Sequence, residues 1–494
     1  MRLAIARAWS GASIGQLEIA AVDGRVALRD ITLPLGDGAT MRIGQLRLPS
    51  GFSLVTPALA AENVTLRDVM INIGGTSYRM REVEIAGSAL AQQDLAVLLN
   101  ANNTEPLAGR LSTLTAERAT IPEIVIEYAR TGGKQTITGR DLVLRDIAQG
   151  KVGSAGMAGG TVKGPAASDE GAFGAVNVTD ADLALATRLF TDMPIADGNE
   201  PRRVVGALAW NAFSFKTATG GSLQADRISL TDFRAKAGAL KDWPKTNGPL
   251  LGGVAIAGAV VDIPGSKATN ERWKWQFKEF LLAADQPHNG IPTHLQAAAK
   301  ELSFALAAGS EHGKALRDLG YDRLDISIAV EGNWAEAANE FVVKNAALDV
   351  AGLGSITLRG QLGNVTRDAF AADASTAAAA RAHATAKSFD LLIEDKGWFE
   401  RAVAREAKKD GKSTDAVREA FARRAARSFS AVFGNSPGGR LLNVALTEFA
   451  KKPGTLEVSG KAKSAAGVAL GDFNAAAGNS GEILEKLDLK ATAR

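Results

Sequence analysis

A short phrase returns along this chain, and its return constrains the fold more than any other feature. Leu28-Arg29-Asp30-Ile31, Leu66-Arg67-Asp68-Val69 and Leu144-Arg145-Asp146-Ile147 are near copies. Met80-Arg81-Glu82-Val83, Leu230-Thr231-Asp232-Phe233 and Phe277-Lys278-Glu279-Phe280 are looser ones. Each lies between two stretches of apolar/polar alternation, and the alternation changes phase at the polar pair. Val64 and Leu66 share one face of a strand. Val69, Ile71 and Ile73 join that face only if one extra residue intervenes, which in a β-strand means a bulge or bend. The chain reads as a long series of similar, bent, amphipathic strands.

A chain of 494 residues exceeds one ordinary core. The expected organisation is a β-rich half with short helices over 1–196, a second β-rich half over 197–396, a helical insert over 397–452, and closing strands over 453–494. The first break is the polar stretch Asp197 to Pro201. Strand alternation is clearest at Trp273/Trp275/Phe277, Leu324/Ile326/Ile328/Val330 and Ile356/Leu358/Leu362. Val64 to Ile73 and Tyr78 to Ile85 read as a hairpin about Gly74-Gly75. Ser88 reads as the cap of a helix over 89–100, and Asp180 to Phe190 as a short helix. Further helices are expected near 398–409, 414–433 and 438–451, with Ser413-Thr414-Asp415 as a start signal and Gly434 as a stop.

Charge and chemistry exclude several functions. Lys plus Arg number 57 and Asp plus Glu 54, so no global field attracts nucleic acid. The insert is locally basic: Gly397 to Lys452 holds 12 basic and 6 acidic residues. Cysteine is absent, which removes disulfides, thiol catalysis and Cys-based metal sites. His288 and His294 share a segment with Asp285, but Asn289-Gly290 and two prolines explain it as a turn. No metal or other cofactor is expected. No phosphate-binding loop, nucleophile elbow or dinucleotide fingerprint is present. The repeated Arg-Asp pairs argue against catalysis, because an active site occurs once and a structural device recurs. We therefore expect no enzyme and name no catalytic residue.

Two features remain as candidate binding surfaces. The aromatic strand Trp273/Trp275/Phe277 suits a lipid-facing groove or stacked bases, with sheet core as the plainer reading. The helix after Ser413 carries Val417, Phe421, Ala425, Phe429 and Val432 on one stripe, with Arg418, Arg423, Arg424 and Arg427 around it. An anionic membrane surface suits such a helix, and so does an ordinary packed helix with a solvated basic face.

No run of 18 apolar residues occurs, so no spanning helix is expected. The first residues lack the apolar middle of a signal peptide, so an export signal or anchor would lie outside this chain.

The phrases Val64-Thr65-Leu66-Arg67-Asp68-Val69, Gly354-Ser355-Ile356-Thr357-Leu358-Arg359-Gly360, Asp325-Ile326-Ser327-Ile328 and Gly454-Thr455-Leu456-Glu457-Val458 resemble the short strands of AsmA-like envelope proteins. The chain is also similar to uncharacterised exported proteins of alphaproteobacteria in the order strand, helices, Lys-Pro-Gly-Thr-Leu at Lys452 to Leu456. The resemblance implies a periplasmic location in a Gram-negative envelope and a sheet folded into a groove that holds acyl chains. The missing N-terminal membrane helix and the insert at 397–452 depart from that pattern.

Face accounting points the same way. About five or six helices are too few to cover roughly 18 to 20 amphipathic strands unless the sheet curls on itself. The expected fold is mainly β with some α: a long, bent antiparallel sheet curled into a groove or elongated barrel-like body, with a helical segment near the C-terminus. The expected function is lipid or hydrophobic-ligand binding and transport in the periplasm. The expected groove lining is Trp273, Trp275, Phe277, Ile326, Ile328, Ile356 and Leu358. The alternative is a non-catalytic envelope scaffold with a solid β core. Lipid or acyl chains, envelope proteins and a peripheral membrane surface are the expected partners; nucleic acid is not.

Overall fold

The computed structural model describes residues 13–19, 26–35, 39–48, 63–73, 75–88, 107–130, 133–188, 201–235, 251–265, 272–288, 291–306, 311–371, 373–434, 436–475 and 481–494. Strand makes up 62% and helix 22%, so strand exceeds helix more than twofold, as the alternation predicts. Every described strand pairing is antiparallel. The chain divides into two compact units, Met1–Ile256 with Val261–Pro264, and Ala257–Val260 with Gly265–Arg494. The expected break at 197–201 falls outside the described residues except for Pro201. So does the helix expected over 89–100.

The first unit runs through β1 (Ser13–Ile19), β2 (Val26–Pro34), β3 (Thr40–Leu48), β4 (Asn63–Ile73), β5 (Thr76–Ser88), β6 (Ala116–Arg130) and β7 (Gly133–Ala148), each paired with the next. Short strands follow: β8 (Lys151–Met157), β9 (Gly159–Lys163), β10 (Glu170–Phe173) and β11 (Val176–Asp182). They lie between β7 and the long pair β12 (Arg202–Lys216) and β13 (Ser222–Ala235). The strand β14 (Gly253–Pro264) has residues in both units. Two short helices belong here, α1 (Leu107–Leu111) and α2 (Leu183–Arg188). The helix expected from Asp180 begins later, because residues 176–182 are strand and Asp182 is the cap: its Oδ1 accepts from the Leu185 N–H at 2.9 Å.

The repeated phrase has a specific backbone. Asp30, Asp68, Asp146 and Asp232 all have positive φ, between 47° and 56°. In β2 Val26 and Leu28 are buried before the break, Ile31 and Leu33 after it, and Arg29-Asp30 both face out. The phase break is as predicted; the extra residue is not there. Pairing keeps one register through Asp30, since Arg29 faces Gln45 and Ile31 faces Ile43. The neighbouring strand breaks phase at the same level, with Ile43 buried before Gly44-Gln45 and Leu46 after. Left-handed residues are costly for most side chains and least so for Asp and Asn, which explains why Asp recurs.

Each such Asp faces a glycine. Gly15, Asp30, Gly44 and Asp68 stand in register across β1 to β4. Asp146, Gly153, Asp180, Gly206 and Asp232 do the same across β7, β8, β11, β12 and β13, and Asp180 has φ 52°. The sheet is creased along these lines, and the Arg-Asp pairs are parts of the crease. Beside the first line the core is solid: Leu28, Ile31, Leu33, Ile43 and Leu46 are at most 1% exposed.

The second unit holds β15 (Arg272–His288), β16 (Ile291–Ala305), β17 (Arg323–Ala335), β18 (Glu340–Val350), β19 (Gly354–Gly363), β20 (Thr385–Asp395) and β21 (Thr455–Ala462), paired in that order. The short β22 (Val468–Ala469) pairs with β20, and β23 (Leu487–Ala493) pairs with β21. Helices α3 (Glu311–Asp318) and α4 (Ala374–Ala382) lie in connections. The insert is three helices, α5 (Trp398–Asp410), α6 (Thr414–Phe433) and α7 (Pro437–Lys451), within one or two residues of expectation. Ser413 and Ser436 accept from the Ala416 and Gly439 N–H groups, and Gly411 and Gly434 end their helices at positive φ. Two short helices, α8 (Leu470–Ala475) and α9 (Gly481–Glu485), precede the last strand. Among the described residues no helix is long and apolar enough to cross a membrane.

Candidate apolar binding face

Cross-strand partners share a face of a sheet, so the register shows which side chains line up. One row runs Phe280, Ala299, Ile328, Leu348, Ile356, Ile393, Leu456, Ala493, from β15 to β23. The next runs Leu282, Ala297, Val330, Ala346, Leu358, Leu391, Val458, Ala491. Both are apolar from end to end.

The rows continue past a second kind of crease. Lys278-Glu279 on β15 and Lys300-Glu301 on β16 break the alternation, and Glu301 has φ 51°. The ion pairs Lys278–Glu301 (2.8 Å) and Lys300–Glu279 (2.7 Å) join the two strands there. On β17 only Ser327 lies opposite Lys300-Glu301, and its hydroxyl accepts from the Glu301 N–H, so the bulge is on β16, whereas the repeated phrase at Lys278-Glu279 keeps one register with β16. Because of this break Phe277 and Phe280, three residues apart, stand on one side with ring centroids 6.3 Å apart. Beyond it Leu302 faces Ile326, which faces Val350, and Trp275 faces Phe304, which faces Leu324. Trp275, Phe277, Ile326, Ile328, Ile356 and Leu358 are therefore brought to one face, and Trp273 continues their alternation.

Only part of that face is covered. Helix α7 packs over its far end, where Leu442 and Ala445 meet Leu456 and Val458 together with Leu391, Ile393 and Ala491. Leu456 is 1% exposed. On β15 to β19 the same rows are open: Leu282, Ile328, Val330, Leu348, Ile356 and Leu358 are 37% to 44% exposed. The tryptophans do not form sheet core. Trp273 is 60% exposed and Trp275 38%. The covered and open parts have the same residue types, so local sequence could not separate them.

The other side of these strands is polar and ion-paired. Arg323 bonds Asp325 and holds its carboxyl below the usual range. Lys344 does the same for Glu331. His294 Nδ1 lies 2.8 Å from Asp285 Oδ1, its cross-strand partner, while the His288 ring packs edge-on against Trp334. The three residues weighed as a metal set thus serve strand pairing and packing. Among the described residues no three His, Asp or Glu side chains converge on a metal position. A hollow of about 410 Å³ on this side is bordered by Arg359, Asp390, Ser459 and Lys490.

The basic helix is largely engaged within the insert. Val403, Ala407 and Val417 are buried between α5 and α6, and Phe399 meets Phe421 with ring centroids 5.9 Å apart. Arg418 pairs with Glu400 at 2.9 Å, and Arg423 with Glu419 one turn earlier at 3.1 Å. Arg427 Nε donates to the Arg423 carbonyl, and Arg424 is exposed. Helix α5 is fixed to the strand ends by Arg401, which lies 4.4 Å over the Tyr321 ring. The Tyr321 hydroxyl donates to the Gly352 carbonyl at 2.7 Å.

A family model described as "Uncharacterized protein" matches residues 347–494, less than half of the chain. That stretch starts in β18 and takes in the helical insert and the covered end of the apolar face. No curated protein matches the sequence.

Proposed function

We propose that this protein binds lipid acyl chains, or a ligand of similar apolar character, on the open face of β15 to β19. On this reading it is a lipid-binding or lipid-carrying component of the Gram-negative periplasm. The observation that carries the proposal is the unequal cover of one continuous apolar face, over which α7 packs at β20, β21 and β23 and which is left wet at β15 to β19. Covering each half-exposed Leu, Ile or Val would contribute on the order of 1 kcal/mol. The open strip crosses five strands, about 19 Å at ordinary strand spacing, long enough for an acyl chain to lie across it. The resemblance of the strand phrases to AsmA-like proteins supports the same ligand class and location. The two described rows are apolar throughout, which suits binding.

The first unit favours a second reading. Its core around Leu28, Leu33 and Leu46 is filled by protein, which suits a non-catalytic scaffold whose surfaces bind envelope proteins.

Titration with a fluorescent fatty acid or phospholipid separates the two. The unaltered protein should bind it. Ile328→Asp and Leu358→Asp should abolish binding while the circular dichroism spectrum stays unchanged, because both sites are already half exposed. No binding by the unaltered protein would leave the scaffold reading.

A further inference from the structure

The first strand of the open face in chain order is unusual. β15 begins Arg272-Trp273-Lys274-Trp275-Gln276-Phe277-Lys278. Its odd positions are aromatic and lie on the side of the open rows; Arg272 and Lys274 alternate with them and are exposed. From Arg272 to Lys278 there are three cations and no anion, Lys278 being paired across the strands with Glu301. Trp273 and Trp275 are the most exposed aromatic residues of this face. An indole has an apolar body and a polar N–H, so it is most stable where water meets hydrocarbon. That preference concentrates tryptophan at the headgroup level of bilayers, and nearby Lys or Arg draws anionic lipid. Stacked nucleic-acid bases also use aromatics and cations, but they need them repeated along the track. Here the row passes from Trp275 to Phe277, Phe280 and the aliphatic Ile328.

We propose that the Trp273–Trp275 end of β15 is where this protein rests on an anionic lipid bilayer, so that an acyl chain leaving the bilayer passes directly onto the open face. The proposal rests on the acyl-chain reading of that face. It assigns membrane contact to a strand end and not to the basic helix α6, because the exposed tryptophans are on the strand.

The test is co-flotation of the full chain with phosphatidylcholine vesicles, with and without phosphatidylglycerol. The unaltered protein should float with the phosphatidylglycerol vesicles, and brominated lipid should quench its tryptophan emission. The double variant W273A/W275A should lose vesicle binding at least about tenfold and lose the quenching. Lys274→Glu should weaken binding to phosphatidylglycerol vesicles only. All three positions are exposed, and circular dichroism confirms folding. Undiminished flotation of W273A/W275A would overturn the proposal. So would flotation abolished by Arg424→Glu with Arg427→Glu but not by the tryptophan changes, or preferential binding of single-stranded DNA. The fatty-acid titration of the unaltered protein separates the two claims. Fatty acid bound without vesicles refutes the docking end alone; neither bound refutes both.

Discussion

Gly44 on β3 lies directly across from Asp68 on β4, and a Cβ added to Gly44 would stand 2.9 Å from the Asp68 Cβ. The same pair recurs as Gly15 with Asp30, Gly153 with Asp146, and Gly206 with Asp180, at 2.8 to 3.0 Å. The left-handed Asp turns its Cβ toward the neighbouring strand, and only glycine leaves room for it. The crease is thus specified by two residues on different strands, one tolerating positive φ and one giving up its side chain.

Gly44→Ala should therefore destabilise the first unit by about 1–3 kcal/mol through overpacking. Asp68→Val should cost at least as much, since a β-branched residue at φ 53° is strongly disfavoured. Asp68→Asn should stay within about 0.5 kcal/mol, because Asn tolerates the same backbone. Urea unfolding midpoints of the three variants measure this. Equal effects from Asn and Val would show that backbone conformation is not what selects the Asp.

Asp373 caps helix α4. Its Oδ2 accepts from the Ser375 hydroxyl at 2.6 Å and from the Thr376 hydroxyl and N–H, each at 2.7 Å. These bonds, the Ser375 one first, lower its carboxyl from an ordinary 3.8 to about 2. A depressed folded value means that the ionised group favours the fold. Its contribution is complete above the ordinary value and fades as pH falls toward about 2. The Asp373 carboxyl signal in NMR should titrate near that value, and the amide shifts of Ala374–Ala382 should follow it. Asp373→Asn should keep a cap and remove this pH dependence. A midpoint near 4 would show that the cap is not formed.

Trp334 is buried, its ring 4.7 Å from that of Phe370, and its Nε1 donates to the Val365 carbonyl at 2.7 Å. Trp334→Phe keeps an aromatic ring and leaves that carbonyl without its donor. The expected loss is about 1–3 kcal/mol, read as a lower thermal midpoint for the second unit. A change within about 0.5 kcal/mol would mean that water replaces the indole.

These cases also show what a sequence makes legible. Both ends of α6 were readable because Ser413 and Gly434 act within a few residues of themselves; Gly411 and Ser436 act in the same way at the end of α5 and the start of α7. The Asp phrases were readable as phase breaks, but their glycine partners lie on other strands, so a shared crease looked like an inserted residue. The helix expected from Asp180 starts only after Asp182, because strand pairing holds residues 176–182 extended. The alternation places Trp275, Ile328 and Ile356 on one side of their strands, and the register aligns them across the sheet. Whether that face is wet depends on where α7 docks, and nothing near Ile356 encodes that.

Ile356 and Leu456, aliphatic side chains of equal size, belong to one row with Ile393 between them and differ in cover. Leu456 is 1% exposed beneath α7 and Ile356 is 44% exposed. In the ligand-free protein Leu456→Ala should cost about 2–5 kcal/mol, the usual loss for a buried aliphatic. Ile356→Ala should cost under about 1 kcal/mol. Bound acyl chain changes the second figure and leaves the first alone. A ligand that binds only the folded state adds about 2.7 kcal/mol at a hundred times its dissociation constant, so saturating fatty acid should raise the melting midpoint of the unaltered protein. Ile356→Ala should blunt that rise, because the chain would lie against a smaller side chain. Leu456→Ala should melt earlier yet show the full rise, since its contacts are with α7. Equal blunting in both variants would place the ligand somewhere other than the open face.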